Sequence, residues 1–123
     1  MKRIIIMLAL ALFMFIGCTK ENKAEEITIG FVGGLTGKYS SLGHNVLNGI
    51  HLALNEVQSS INGKKILLLQ RDDKQDPSSA KEAIAFFKEK KVELIIGNTT
   101  SSMTKVSLET LDTQKDIVLF SPT

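Results

Sequence analysis

Residues 27–54, ITIGFVGGLTGKYSSLGHNVLNGIHLAL, constrain the fold more than any other stretch, because an apolar run, a Gly-rich turn and an amphipathic run follow one another without a gap. Ile27, Ile29, Phe31 and Val32 form a short run with β-branched residues, closed at once by Gly33 and Gly34, and predict a strand. Its nearly continuous apolar character is that of a strand buried on both faces, as in parallel sheets covered by helices. Val46, Leu47, Ile50, Ala53, Leu54, Val57 and Ile61 then recur every three or four residues and predict a helix over residues 41–59 with one apolar face. His44, Asn48, His51, Asn55 and Gln58 fall mostly on the other side, and Ser40 or Ser41 is placed to cap the first turn.

The remainder repeats this design. Asn62-Gly63 supplies a turn, residues 65–71 (KILLLQR) predict a second buried strand, and Asp72-Asp73 end it. Asp76 caps a second helix with Pro77 at its first position, where the missing N–H costs nothing. Ala80, Ala83, Ile84 and Phe87 give this helix its inner face, and the run Lys88-Glu89-Lys90-Lys91 reads as a solvated end whose positive charge complements the helix dipole. Residues 92–96 form a third strand stopped by Gly97. The polar loop 98–102 leads to a third helix with Met103, Val106, Thr110 and Leu111 inward, and residues 116–120 form a fourth strand. Four strands alternating with three helices over short connections call for an open, Rossmann-like α/β domain: a parallel sheet with helices on both faces and right-handed crossovers. No helix follows the last strand to cover it, so the expectation is a truncated lobe over residues 27–123 with apolar surface left open.

Residues 1–17 stand outside this lobe. Lys2 and Arg3 make a positive n-region, residues 4–16 an apolar h-region shorter than the ~20 residues that span a bilayer, and Gly17 a small residue before a cleavage point. Phe15-Ile16-Gly17-Cys18 resembles the lipobox of bacterial lipoproteins, with Phe15 where that family usually has leucine. The resemblance implies that Cys18, the single cysteine, is lipidated, and that residues 18–26 tether the domain to the membrane of the cell envelope after export. Removing Lys2 and Arg3 from the 15 basic residues leaves 13, equal to the 13 acidic ones, so charge gives no support to nucleic-acid binding.

Catalytic and cofactor motifs are wanting. Gly37-Lys38 lies between a strand and a helix, but a phosphate loop needs glycine at the place of Val32 and Ser or Thr at the place of Tyr39. Gly30, Gly33, Gly34 and Gly37 lack dinucleotide spacing. His44 and His51 stand two turns apart without a third ligand nearby, Asp72-Asp73 read as solvated carboxylates at a strand end, and no nucleophile elbow is present. Neither an enzyme nor a metal or other cofactor is expected. Thr99, Thr100, Ser101 and Ser102 instead place hydroxyls at a strand's carboxyl end and a helix N-terminus, with Ser121 and Thr123 ending the next strand at the same edge. Ligands bind at such edges in open α/β sheets, and free helix N–H groups favour a carboxylate; the alternative for the loop hydroxyls is that they only cap the helix, and Ser121 and Thr123 at the same edge favour the ligand.

Taken together, IGFVGGLTGKYSSLGHNVLNGIHLALNEV, INGKKILLLQRDD, GNTTSSMT and LFSPT resemble the N-terminal part of type I periplasmic binding proteins of the branched-chain amino acid (Leu/Ile/Val) receptor family. The resemblance implies one of two α/β lobes that close on an amino acid and deliver it to an ABC transporter permease. It implies that Ser101, with Ser102 beside it, binds the ligand carboxylate. Thr123 begins the segment that holds the ammonium group, and Tyr39 and Leu42 border the ligand side chain. The second lobe is missing from this sequence. A different class of function remains on the same fold: a lipid-anchored sensory or structural interaction module without transport.

Overall fold

The structure, a computed structural model, describes residues 25–111 and 116–123; the leader, Cys18 and the tether up to residue 24 lie outside the described residues. In chain order it comprises β1 (Glu26–Gly33), α1 (Ser40–Glu56), β2 (Ser60–Ile61), β3 (Lys64–Asp72), α2 (Pro77–Glu89), β4 (Leu94–Gly97), α3 (Ser101–Leu111) and β5 (Val118–Phe120). The sheet order is β2-β3-β1-β4-β5. β1 pairs in parallel with both β3 and β4, and β5 joins β4 in parallel.

The two-residue β2 departs from the sequence reading, which has Ile61 inside a helical stripe and the sheet wholly parallel. Asn62 and Gly63 both take positive φ, 51° and 77°, the geometry of a two-residue hairpin turn, so Ser60 and Ile61 fold back antiparallel on Lys65 and Lys64.

Strand alternation sorts the side chains onto two faces. Gly30 pairs with Leu69 and Ile95, and Ile95 with Leu119, all on the face that carries α2 and α3. There Val32, Ile84, Phe87, Val92 and Ile95 are almost fully buried, joined by Ala83 and Leu111. The four inward residues expected of α2 are its four buried ones, and Asp76 accepts from the Ser79 N–H at 2.8 Å as its cap, with Pro77 following. Lys88 is not simply solvated: its ammonium donates to the Thr110 carbonyl at 2.8 Å and ties α2 to α3. On α3 the buried line is Met103, Ser107 and Leu111, with Val106 and Thr110 half-buried. Ser107 takes the place of an apolar residue one turn after Met103.

The opposite face is thinly covered. Gly43 and Leu47 are the buried residues of α1; Val46, Ile50 and Leu54 are half-buried, while Ala53 and Val57 are exposed. The helix therefore seats its N-terminal half and leaves an open apolar groove of about 440 Å³ along its other half, between Ile50, Leu54 and Val57 and the sheet residues Ile29, Ile66 and Phe120. The expected open apolar surface is present, and burial of every strand on both faces is not. The serine cap is also absent from α1. Tyr39 occupies the cap position without a side-chain bond, because Ser40 is already helical and donates its N–H to the Gly37 carbonyl at 3.2 Å.

Candidate functional site

At the carboxyl edge of the sheet the connections run in opposite directions from β1 and β4, to helices on opposite faces. The strand order reverses between these two neighbours, which makes a crevice where open α/β sheets take ligands. Four chain segments meet there: residues 34–39 after β1, 73–76 after β3, 98–100 after β4 and 121–123 after β5.

Asp72 fixes the first segment. Its carboxylate accepts from the Leu35 N–H at 2.8 Å, the Thr36 hydroxyl at 2.6 Å and the Lys74 N–H at 2.8 Å. Partial burial pushes this carboxyl up, but the bonds from Thr36, Leu35 and Lys74 outweigh it and hold the group below the ordinary aspartate value. The reading of Asp72-Asp73 as solvated thus fails for Asp73, while Asp72 stays partly exposed and is engaged by the first loop. Asp73 is fully buried, and its carboxylate accepts from the Gln75 N–H at 2.9 Å, Gln75 Nε2 at 3.1 Å and Asn98 Nδ2 at 2.8 Å. A buried carboxylate needs such partners.

The hydroxyl loop rests on this network. Thr99 is buried with its Oγ1 near the Gly34 N–H at 3.4 Å, and the Thr100 hydroxyl donates to Gln75 Oε1 at 3.0 Å. The Thr100 carbonyl accepts both the N–H and the hydroxyl of Thr104 at 3.0 Å. The helical ladder of α3 thus starts at Thr104, leaving the N–H groups of Ser101, Ser102 and Met103 without intrahelical acceptors. Ser101 and Ser102 are exposed there. Beside them the Ser121 hydroxyl contacts Thr104 Oγ1 at 3.0 Å and Thr123 Oγ1 at 2.8 Å, and it donates to the Asn98 carbonyl at 3.2 Å.

The structure therefore gathers Ser101, Ser102 and Thr123 around the start of α3. Tyr39 and Leu42 stand apart: both are nearly half exposed, at the start of α1. The supporting residues Asp73, Gln75, Asn98 and Thr104 were missed by sequence reasoning. Their one local signal is that polar residues follow β3 and β4 immediately, where the chain crosses the same edge. Among the described residues there is no group of three side chains suited to hold a metal ion, and no helix is long and apolar enough to cross a membrane.

A mostly parallel sheet with helices on both faces and a hydroxyl-rimmed edge is the architecture of a lobe of the type I periplasmic binding protein fold. The chain belongs to the periplasmic binding protein family, whose model matches residues 26–123. No curated protein matches the sequence at a significant level. Among solved structures, the branched-chain amino acid transporter substrate-binding protein LivJ of Streptococcus pneumoniae, in complex with isoleucine, is 26% identical with a TM-score of 0.73 over 80% of this chain and 29% of its own. An ABC transporter substrate-binding protein of Sphaerobacter thermophilus is 26% identical with a TM-score of 0.74 over 79% of this chain and 26% of its own. A solute-binding protein of R. palustris in complex with benzoate shares the fold at 20% identity, with a TM-score of 0.71 over 80% of this chain and 27% of its own. The chain spans between a quarter and three-tenths of the length of these structures.

Proposed function

We propose that this chain is the N-terminal, carboxylate-binding part of a solute receptor that serves an ABC importer, taking branched-chain amino acids or related small zwitterions. The observation that carries the reading is the start of α3, where three N–H groups without intrahelical acceptors and two exposed serines, Ser101 and Ser102, lie at the carboxyl edge beside the strand switch point. Thr123, beside Ser121, provides an acceptor for the ammonium group, and Tyr39 and Leu42 border the side chain. The neighbour bound to isoleucine supports an amino acid, while the one bound to benzoate shares with it a ligand that carries a carboxylate. Binding by such a lobe is non-catalytic, and a second lobe would supply the other wall of the cleft. Export and lipid attachment at Cys18 would hold the receptor in the cell envelope beside its permease. Cys18→Ser should then shift the protein from the membrane fraction to the soluble one.

The test is calorimetric titration of residues 19–123, and of the same chain extended by any reading frame that follows Thr123, with a panel of L-amino acids and benzoate. Binding by the extended form that falls at least tenfold in Ser101→Ala is expected. A folded extended form that binds none of the panel would sink the receptor reading in favour of an interaction module.

A further inference from the structure

Gln75 occupies a position that the binding reading leaves unused. Its backbone takes a φ of 57°, a conformation unfavourable to a residue with a side chain, and retained where the surroundings hold it. The side chain lies between three of the converging segments. Its Nε2 donates to the buried Asp73 carboxylate at 3.1 Å, and its Oε1 accepts the Thr100 hydroxyl at 3.0 Å. It also lies against Gly34, where an added β-carbon would stand 2.7 Å from Nε2. In this orientation the amide NH2 group donates to the Asp73 carboxyl and its oxygen accepts from Thr100, so both ends of the amide are used. Thr100 is in turn the residue whose carbonyl receives the first ladder bond of α3, from the Thr104 N–H.

We infer that Gln75 is a positioning residue for the ligand-facing end of α3. By holding the Thr100 hydroxyl it fixes the peptide planes that lead into the helix, and with them the direction of the free N–H groups of Ser101 and Ser102. The buried Asp73, held from its other oxygen by Asn98 and through its N–H by the Gly33 carbonyl at 3.1 Å, anchors Gln75 to the sheet. This deepens the receptor reading and rests on it for its effect on ligand.

The experiment compares Gln75→Leu, Thr100→Val and the double variant in the full-length gene product, by amide hydrogen exchange and by calorimetric titration with L-isoleucine. Exchange at Thr104 should quicken about fivefold in each single variant, the factor that one net hydrogen bond carries. The double variant should match Gln75→Leu, because both changes remove the same bond. The Val92 amide, bonded to the Phe87 carbonyl at 3.0 Å away from this edge, should stay unchanged, and L-isoleucine affinity should fall by a similar factor. Unchanged Thr104 exchange in Gln75→Leu, additive single effects, or equal quickening at Val92 would overturn the inference. Failure of the unsubstituted protein to bind L-isoleucine would overturn the amino-acid reading alone, with the exchange result still deciding the role of Gln75.

Discussion

Asp72 and Asp76 differ in role although only four positions separate them in the sequence. Asp76 bonds to Ser79 within its own helix start, a local pairing that the Asp-Pro dipeptide announces. Asp72 bonds to Leu35 and Thr36, on a segment brought beside it only by the parallel pairing of β1 and β3. That is why capping was legible in the sequence and the clamp on the first loop was not. The same separation hid Asp73 with Asn98 and Gln75 with Thr100. The clamp has a pH signature. Its carboxyl is held below the value it has in the unfolded chain, about 3.9, so the clamp's stabilisation is complete above that value and is lost as pH falls through the lower, folded one. Asp72→Asn keeps one acceptor oxygen and loses the other. It should cost about 1 kcal/mol at neutral pH, and urea midpoints of variant and parent should converge below about pH 4. A constant gap across that range would mean that the carboxylate does not act through its charge.

Among the elements, α2 was readable nearly to the residue while α1 was not, though both carry a helical apolar stripe. The stripe of α2 meets a sheet face completed by α3, so periodicity and burial coincide. That of α1 meets the sheet only along its first half, and periodicity alone cannot report where a helix axis parts from a sheet. What brings the first half close is Gly43, where an added methyl group would overlap the Gly34 carbonyl oxygen. Gly49, six residues on, has nothing within 4 Å of that position. The two glycines should therefore respond oppositely to alanine. Gly49→Ala should stabilise the protein by up to ~1 kcal/mol through helix propensity. Gly43→Ala should destabilise it by about 1–3 kcal/mol by forcing the helix off the first loop. Thermal melts of the two variants, read against the parent, check the signs; a stabilising Gly43→Ala would show that the close approach contributes nothing.

At the scale of the whole molecule, the alternation of strands and helices was enough to give a mostly parallel sheet with layers on both sides, and the loop hydroxyls enough to show which segments meet at its carboxyl edge. Neither signal could supply the antiparallel β2, whose two residues pair only because Asn62-Gly63 turns the chain tightly. Nor could they fix the balance between the two faces. The α2 and α3 face is closed, whereas the α1 face keeps an open apolar groove of about 440 Å³, with Phe120 62% exposed at its rim. Contiguous apolar surface of this kind is uncommon on soluble monomers and takes up hydrophobic probes. The chain should therefore enhance the fluorescence of an anilinonaphthalene dye while its circular dichroism stays native and its melt stays cooperative. Phe120→Ser, which removes apolar area from the rim without touching the hydroxyl network, should lower the dye signal by about half or more. The same change on the buried side, at Phe87, should instead broaden or abolish the melt, since truncating a core phenylalanine costs about 3–5 kcal/mol. Dye binding that survives Phe120→Ser undiminished, or that appears only as the melt is lost, would place the probe in loosened core rather than in this groove, and would mean that α1 lies closer to the sheet in solution.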